Sequence, residues 1–522
     1  MLGCAAFLLG PAAALFAAHL NAESFKDYEW PRAAEFARLR GLFWVNVRIA
    51  LGSALIATLC GVTVALALHR ARGWWKRFLA CAFPVPLLIP PTIVTIAYTH
   101  LIGKRGIAMA LWREWTGAAE LPFSMYGEAG ASAVLGLCWF PLVTMSTLVG
   151  LRAVGATAIQ AGRIHAGPWT RVRHIDAPLL APYVSAGSIF VAWLALGDFE
   201  VPPVLLLNTY TLQIYAAIKS FEMAKALVLS VPLLAVTALV LLARYALARG
   251  SAEATIDTYW RARPSAEAGA RPGGRWLHAA ALAILLLAVA APVLSLVHQS
   301  TGWGMLRRAL QTAGAQVFNT FGAALGAAAI LTVAGAPYAW LLATTRGWRR
   351  AALALLACAP LAIPGTIHGL AWTEALQLTA WGRALLNCAL VVSLADAARF
   401  FPLAVFLLAA TFAAVHPSLP DAARLAGAGL PRRFKHIHLP LTYTGILSAF
   451  AIVYALSAGE LAASILLNPV GFMTLPVRIS SLLHFGQDEL LAALCLIQIF
   501  LSLLPYLAAS LLLERVLEVR LG

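Results

Sequence analysis

Charge is what this chain has least of. Only 11% of its 522 residues are charged, where a soluble domain carries about 25%. Acidic residues are scarcer than basic ones, 22 against 38. So little polar side chain cannot cover a water-soluble fold, and 61% hydrophobic residues with a mean hydropathy of +0.81 exclude a disordered chain as well. No Cys-x-x-Cys spacing is present to build a metal site or redox pair, and the seven cysteines (Cys4, Cys60, Cys81, Cys138, Cys358, Cys388, Cys495) all fall in apolar runs as small core residues. No GxxxxGK[ST] stretch is present to cradle nucleotide phosphates. The formal charge of +16 is not gathered into any run dense enough for nucleic acid. It fits the excess of Lys and Arg that membrane proteins keep on their cytoplasmic face.

Long apolar runs are what the chain does have. They fall at roughly 1–20, 43–68, 78–102, 131–151, 182–207 and 226–248, then at 277–297, 317–342, 351–373, 388–412, 442–467 and 490–513. Each is long enough to cross a bilayer core of about 30 Å, so the expected fold class is an all-α polytopic membrane protein of about twelve transmembrane helices, six plus six. The first run has no basic flank and is taken as a retained span. Placing both termini in the cytoplasm puts most Lys and Arg inside, as the positive-inside rule requires. Residues 21–40 carry both charge signs and suggest an interfacial helix outside the membrane. Residues 249–276 hold Ser, Ala, Glu, Pro, Gly and Arg with no apolar period and read as a cytoplasmic linker. The expected domains are therefore a first half, 1–248, and a second half, 277–522.

The halves repeat one another. Arg72-Gly73-Trp74 matches Arg346-Gly347-Trp348, and the same offset carries Pro86–Ile93 onto Pro360–Ile367. In the same order follow Phe140-Pro141-Leu142 with Phe401-Pro402-Leu403, Pro178-Leu179 with Pro440-Leu441, and Gly197-Asp198 with Gly459-Glu460. An even number of spans per half makes the repeats parallel, related by an axis along the membrane normal, as in transporters whose path runs between two halves.

Before the fifth span of each half comes a loop rich in helix formers. In the second half, Pro420 to Pro440 reads as a short helix started by Asp421, stopped at the Gly427–Gly429 turn, and followed by a basic amphipathic helix ended by Pro440, with Pro431 in the same loop. Asp421, Ala422, Ala423, Gly427, Ile437, Leu439 and Pro440 stand in the register of the EAA motif, and the loop resembles that of permease subunits in binding-protein-dependent ABC importers. The first copy is degenerate: Ala161, Ile175 and Pro178 fit, His165 replaces the glycine, the acid is missing, and Gly167, Pro168 and Trp169 belong to the same loop.

Two halves in one chain resemble the fused permeases of the ferric-iron and thiamine importers. The resemblance implies type I importer transmembrane domains in the bacterial inner membrane, with the two loops docking on a separate ABC ATPase, expected as a homodimer. It further implies an extracytoplasmic solute-binding protein that hands over the solute. Ferric iron is the first expectation and thiamine the next, followed by phosphonate, polyamine or sugar-phosphate. The chain itself is expected to be no enzyme, to need no cofactor and to contact lipid and solute but no nucleic acid.

Ionisable residues inside spans mark pathways by default. Asp198, Glu200 and Glu460, beside helix-breaking Gly and Pro, are expected in a translocation path, where they suit a cation; a structural contact between helices is the plainer alternative. Asp396 and Arg399, three apart on one helix, are expected to pair with each other. His436 and His438 read as solvated or partner-facing rather than metal-binding, and His100 and His368 as structural. Trp74, Trp75, Trp112, Trp303, Trp348 and Trp381 read as interfacial anchors. A secondary transporter with two six-helix halves would share the span count and symmetry, but its loops would not need EAA-like helices in equivalent places. A membrane-embedded enzyme would need a cluster of His, Asp or a nucleophile, and the sequence offers none.

Overall fold

The computed structural model describes residues 7–15, 32–104, 106–118, 122, 124–153, 170, 172–248, 275–483, 485–486 and 488–521, and among these every regular element is helical. Among the described residues, nine helices are long and apolar enough to span a membrane, or ten if the pair Gly73–Leu88 and Pro91–Thr116, bent by 94°, is one broken span. The sequence expectation of twelve differs for identifiable reasons. Only 7–15 of the first run is described. The run at 351–373 is cut by Pro360 and Pro364 into Gly347–Cys358 and Gly365–Gln377, neither long enough to cross alone. Proline supplies no amide hydrogen and pushes the residue before it out of the α region, so both Pro-rich entries break their helices. The expected interfacial segment also changes character. Ala33–Arg70 is one helix of 38 residues, because nothing between Ala33 and the apolar run interrupts it.

The described chain divides into two compact units, and their composition crosses the repeat boundary. One unit contains Met1–Tyr28, Ile218–Leu234 and Ser300–Gly522; the other contains Glu29–Ala217 and Ala235–Gln299. In the first unit, Phe7, Leu8 and Leu9 pack on the core of the second repeat, with Phe7 edge-on to Trp372 at 5.5 Å. In the other, Arg275–Gln299 packs on the first repeat: Ser295 Oγ donates to Ala97 O at 2.9 Å, and Tyr98 Oη donates to Leu287 O at 2.6 Å. The opening helix of each repeat thus joins the unit built from the other repeat.

Within the units, the repeat reaches individual hydrogen bonds. Ser132 Oγ donates to Ile49 O, and at the matching positions Ser393 Oγ donates to Ala323 O. Each serine packs on a glycine, Gly52 and Gly326, where an added Cβ would lie 2.6 Å from the hydroxyl. Helix pairs approach closely in membranes through such small residues. Gly73 and Gly347 both take positive φ (57° and 62°) to turn the chain sharply at the end of a span. The π-turns Val172–Asp176 and Phe434–His438 occupy equivalent places before their long helices.

The Gly326–Ser393 contact gives a direct stability test. Gly326→Ala should destabilise the detergent-solubilised protein by about 1–3 kcal/mol, as overpacking does. Adding Ser393→Ala should recover most of that loss, since the hydroxyl is the closest atom. Unchanged melting of Gly326→Ala would mean that these helices do not touch there.

Candidate functional site

Two places combine the residue types singled out in the sequence: the polar loop before the last helices of the second repeat, and the breaks that follow Gly197 and Gly459.

In the loop, Ser418–Leu425 is an eight-residue helix with Asp421 in its first turn. The helix begins three residues earlier than the sequence suggested, and Asp421 N donates to Pro417 O at 3.1 Å. A carboxylate in the first turn suits the positive end of the helix dipole. The helix closes as a Schellman motif: Ala428 N donates to Ala423 O and Gly427 N to Arg424 O, with Gly427 at φ +80°. Gly429 then caps Leu430–Arg433, in which Pro431 occupies the first turn, where its missing N–H costs nothing.

Pro440 does not end the second helix, contrary to expectation. The chain runs from Leu430 through the π-turn Phe434–His438 into Leu439–Ala458, and Pro440 lies in the first turn of that last segment. The wider turn, with Leu439 N donating to Phe434 O, makes room for the pyrrolidine ring next to the carbonyl four residues back. Ile437 is half-buried, while Leu439 and Pro440 are exposed. Ala422, Gly427, Gly429 and Pro431 are also exposed, and Ala423 is partly covered.

The two histidines separate. His436 is exposed, but His438 is buried against the rings of Trp340, Phe412 and Phe434, so it is neither solvated nor facing a partner. In the first copy, Ala161, His165, Gly167, Pro168 and Trp169 lie outside the described residues. Ile175, in the π-turn, is half-buried, and Pro178, just after it, is exposed, like their counterparts Ile437 and Pro440.

The breaks are built alike. Ala177–Leu196 ends at Gly197 and Leu439–Ala458 at Gly459, each well before its apolar run stops. Asp198, Glu200 and Glu460 therefore sit just past the long helices rather than inside them. In each break the carboxylate accepts the amide hydrogen three residues on: Val201 N donates to Asp198 Oδ1 at 3.0 Å, and Ala463 N donates to Glu460 Oε1 at 2.9 Å. The last helical carbonyl accepts from a side-chain amide, Asn46 Nδ2 on Leu196 O at 3.1 Å and Gln498 Nε2 on Ala458 O at 2.7 Å. Neither amide drew attention in the sequence. Asn46 also bonds Thr211 Oγ1 and accepts from Tyr210 N, so it ties three segments together. Its signal was a single amide in an apolar run, the kind of residue that has to find partners in a membrane. Glu200 accepts from Thr92 Oγ1 at 2.7 Å.

Arg399 and Asp396 do not pair with each other. Arg399 is ion-paired with Glu460, and Ser457 Oγ donates to Asp396 Oδ2 at 2.5 Å. Both bonds reach across to the helix that ends at Gly459. Residues three apart on one helix share a face, and here that face meets better partners on its neighbour than it has within itself. Gly365 makes room, since a Cβ there would overlap the Arg399 guanidinium and Ala462. His368 is buried, with its Nε2 3.0 Å from Ala395 O.

This pairing generates a stability prediction. Arg399→Gln or Glu460→Gln alone should cost about 3 kcal/mol or more, because each leaves a partly buried charge uncompensated, while the double substitution should cost much less. Thermal melts of the three variants in one detergent measure the coupling, and additive losses would show that the pair carries none.

No family model matches the chain. Among curated proteins it is similar to the putative molybdenum transport system permease protein YvgM of Bacillus subtilis, 28% identical over 157 residues, which is 30% of this chain and 67% of that protein. The molybdenum transport system permease protein ModB of Mycobacterium bovis is 30% identical over 156 residues, 30% of this chain and 57% of ModB. The putative 2-aminoethylphosphonate transport system permease protein PhnV of Salmonella typhimurium is 36% identical over 92 residues, 18% of this chain and 35% of PhnV. The matched stretches span from about a third to two thirds of these relatives. These relatives are named as permease proteins of transport systems, and together with the membrane-spanning helices they support a multi-pass membrane permease.

Proposed function

We propose that the chain is the fused permease of an ABC importer, with two homologous transmembrane repeats, 1–248 and 277–522, joined by a linker at 249–276. It moves a small solute handed over by an extracytoplasmic binding protein across the bacterial inner membrane. A separate ATPase pair powers it by docking on the loops before the fifth span of each repeat. One observation carries the reading: the loop at Ser418–Arg433 is a helical turn closed by a Schellman motif that exposes Leu419, Leu425 and Leu430 beside Arg424 and Arg432. Exposed leucines on a closed turn suit a groove on a partner. A secondary transporter has no use for such a surface. The excess of Lys and Arg supports a cytoplasmic side for the loops and both termini.

For the solute, the reading departs from ferric iron. The cation path rested on Asp198, Glu200 and Glu460, and each of these carboxylates is engaged in a cap, a hydroxyl bond or an ion pair. The relatives are named for molybdenum and for 2-aminoethylphosphonate, solutes that are oxyanions in water. A small oxyanion is the better fit, and ferric iron and thiamine are the competing arms of one experiment. A strain lacking its own importers, complemented with this chain, its ATPase and its binding protein, should accumulate labelled molybdate or phosphonate. Accumulation of iron or thiamine in their place would reject the oxyanion reading.

Two further outcomes are expected. The purified chain alone should hydrolyse no ATP, and the activity should require the ATPase pair; hydrolysis that survives removal of every contaminating ATPase would overturn the assignment. Gly427→Asp should lower coupled uptake at least about tenfold at unchanged membrane level. Space around Gly427 is open and Asp and Asn both tolerate positive φ, so the harm comes from a new charge on the docking face. Gly427→Asn should therefore retain most uptake, and equal loss in both variants would assign the effect to the turn instead.

A further inference from the structure

The chain leaves the long helix at Arg70 and passes through Ala71 and Arg72 in extended conformation. It then turns at Gly73 into the ten-residue helix Gly73–Ala82. This helix holds on to its unit by one fully buried side chain, Leu79. Its aromatic side is exposed: Trp74 is 67% and Phe78 41% accessible. The rings are ordered against one another, Trp74 stacked on Trp75 with centroids 4.5 Å apart and Phe78 edge-on to Trp75 at 5.5 Å. Arg70, Arg72, Lys76 and Arg77 are exposed around them. No acidic residue occurs anywhere between Glu35 and Glu114, so the sequence supplies no local carboxylate to neutralise this charge. On the other side of Trp75, His278 lies 6.4 Å away, which brings the start of Arg275–Gln299 alongside, with Trp276 88% exposed.

The second repeat builds the same device independently. Arg346 is extended, Gly347 turns at φ +62°, and Gly347–Cys358 is pinned by Leu353 and Ala357. Trp348 is 75% exposed, with the Arg349 guanidinium 5.8 Å from its ring centroid. No acidic residue occurs between Glu267 and Glu374. Each helix follows directly on a membrane span, so its aromatic and basic groups lie at the depth of the headgroups. Tryptophan prefers that depth, and Lys and Arg attract acidic lipid there.

We propose that Gly73–Ala82 and Gly347–Cys358 are two repeat-related binding sites for anionic phospholipid, each holding an acidic headgroup on its Arg and Lys side chains while its tryptophans seat against the glycerol and upper acyl region. Charge complementarity selects this occupant over a zwitterionic lipid, and the exposed stacked aromatics select it over free phosphate, which would leave them in water. The first site carries more cations and more rings, so it is the tighter of the two.

The test uses the full chain in detergent, titrated with phosphatidylglycerol or with phosphatidylcholine of the same acyl chains and read by native mass spectrometry. Phosphatidylglycerol should bind at least about tenfold more tightly, with each basic side chain worth about fivefold. Arg72→Gln/Lys76→Gln/Arg77→Gln should abolish the tighter class, and Arg346→Gln/Arg349→Gln should weaken the other. All five positions are exposed, and melting temperature verifies the fold. Should a variant fail to fold, the unmodified chain still decides: raising salt from 0.05 to 0.5 M should erase most of the lipid preference, since exposed charges are screened. Equal affinity for the two lipids, a preference indifferent to salt, or undiminished phosphatidylglycerol binding by the five-fold variant would each overturn the proposal.

Discussion

A peptide group in the hydrocarbon of a bilayer has no water to bond, so wherever a helix ends at depth the protein must supply a donor for each free carbonyl and an acceptor for each free amide. The breaks after Gly197 and Gly459 are organised around this constraint. The last helical carbonyl receives a side-chain amide, from Asn46 in one repeat and Gln498 in the other. Three residues beyond the acid, the next free N–H finds a carboxylate, Asp198 or Glu460. The chain then continues into a short helix, Val201–Val204 in one repeat and Ser464–Leu467 in the other. The acids are thus structural before they are anything else, and any contact they make with solute has to compete with a cap.

Much of this architecture is written in local pattern, and local pattern has limits. Apolar runs located most of the long helices, because a bilayer selects on length and hydropathy, but not their ends: Ala33–Arg70 and Trp303–Thr344 begin ahead of their runs, and Ala177–Leu196 and Leu439–Ala458 stop short of theirs. Pro90 and Pro364 stand at the breaks before Pro91–Ile102 and Gly365–Gln377, because their effect on the backbone does not depend on neighbours. Pro440 shows where that reasoning stops: a π-turn upstream lets the helix pass through it, and no change in side-chain period betrays such a turn. The glycine stop of the loop was legible at Gly427, which takes positive φ, while the helix start was placed late because Asp421 looks like a cap and is instead a first-turn acid.

Long-range pairing was the least legible part. Asp396 and Arg399 stand one turn apart and seemed made for each other, but they meet Ser457, in the last turn of Leu439–Ala458, and Glu460, just beyond it. A sequence shows the candidate partner on the same helix and hides the one that tertiary packing brings up. The same limit governs the division into units. Self-similarity shows which segments correspond, yet it carries no information on which core a helix joins, and the opening helix of each repeat joins the unit of the other.

The repeats also show how one backbone holds different chemistry. In the alignment set by Phe140-Pro141 and Phe401-Pro402, Arg399 stands where the first repeat has Cys138, and in that set by the Pro-rich segments Gly365 stands where it has Pro91. A guanidinium needs volume, and Gly365 gives it: even a Cβ there would overlap the Arg399 side chain. The first repeat instead spends its polar group at Glu200, whose hydroxyl partner Thr92 follows Pro91 directly, and the second has Ala462 at the matching position. Position, volume and charge therefore vary together, and the second repeat carries an ion pair where the first carries a thiol and a hydrogen-bonded acid.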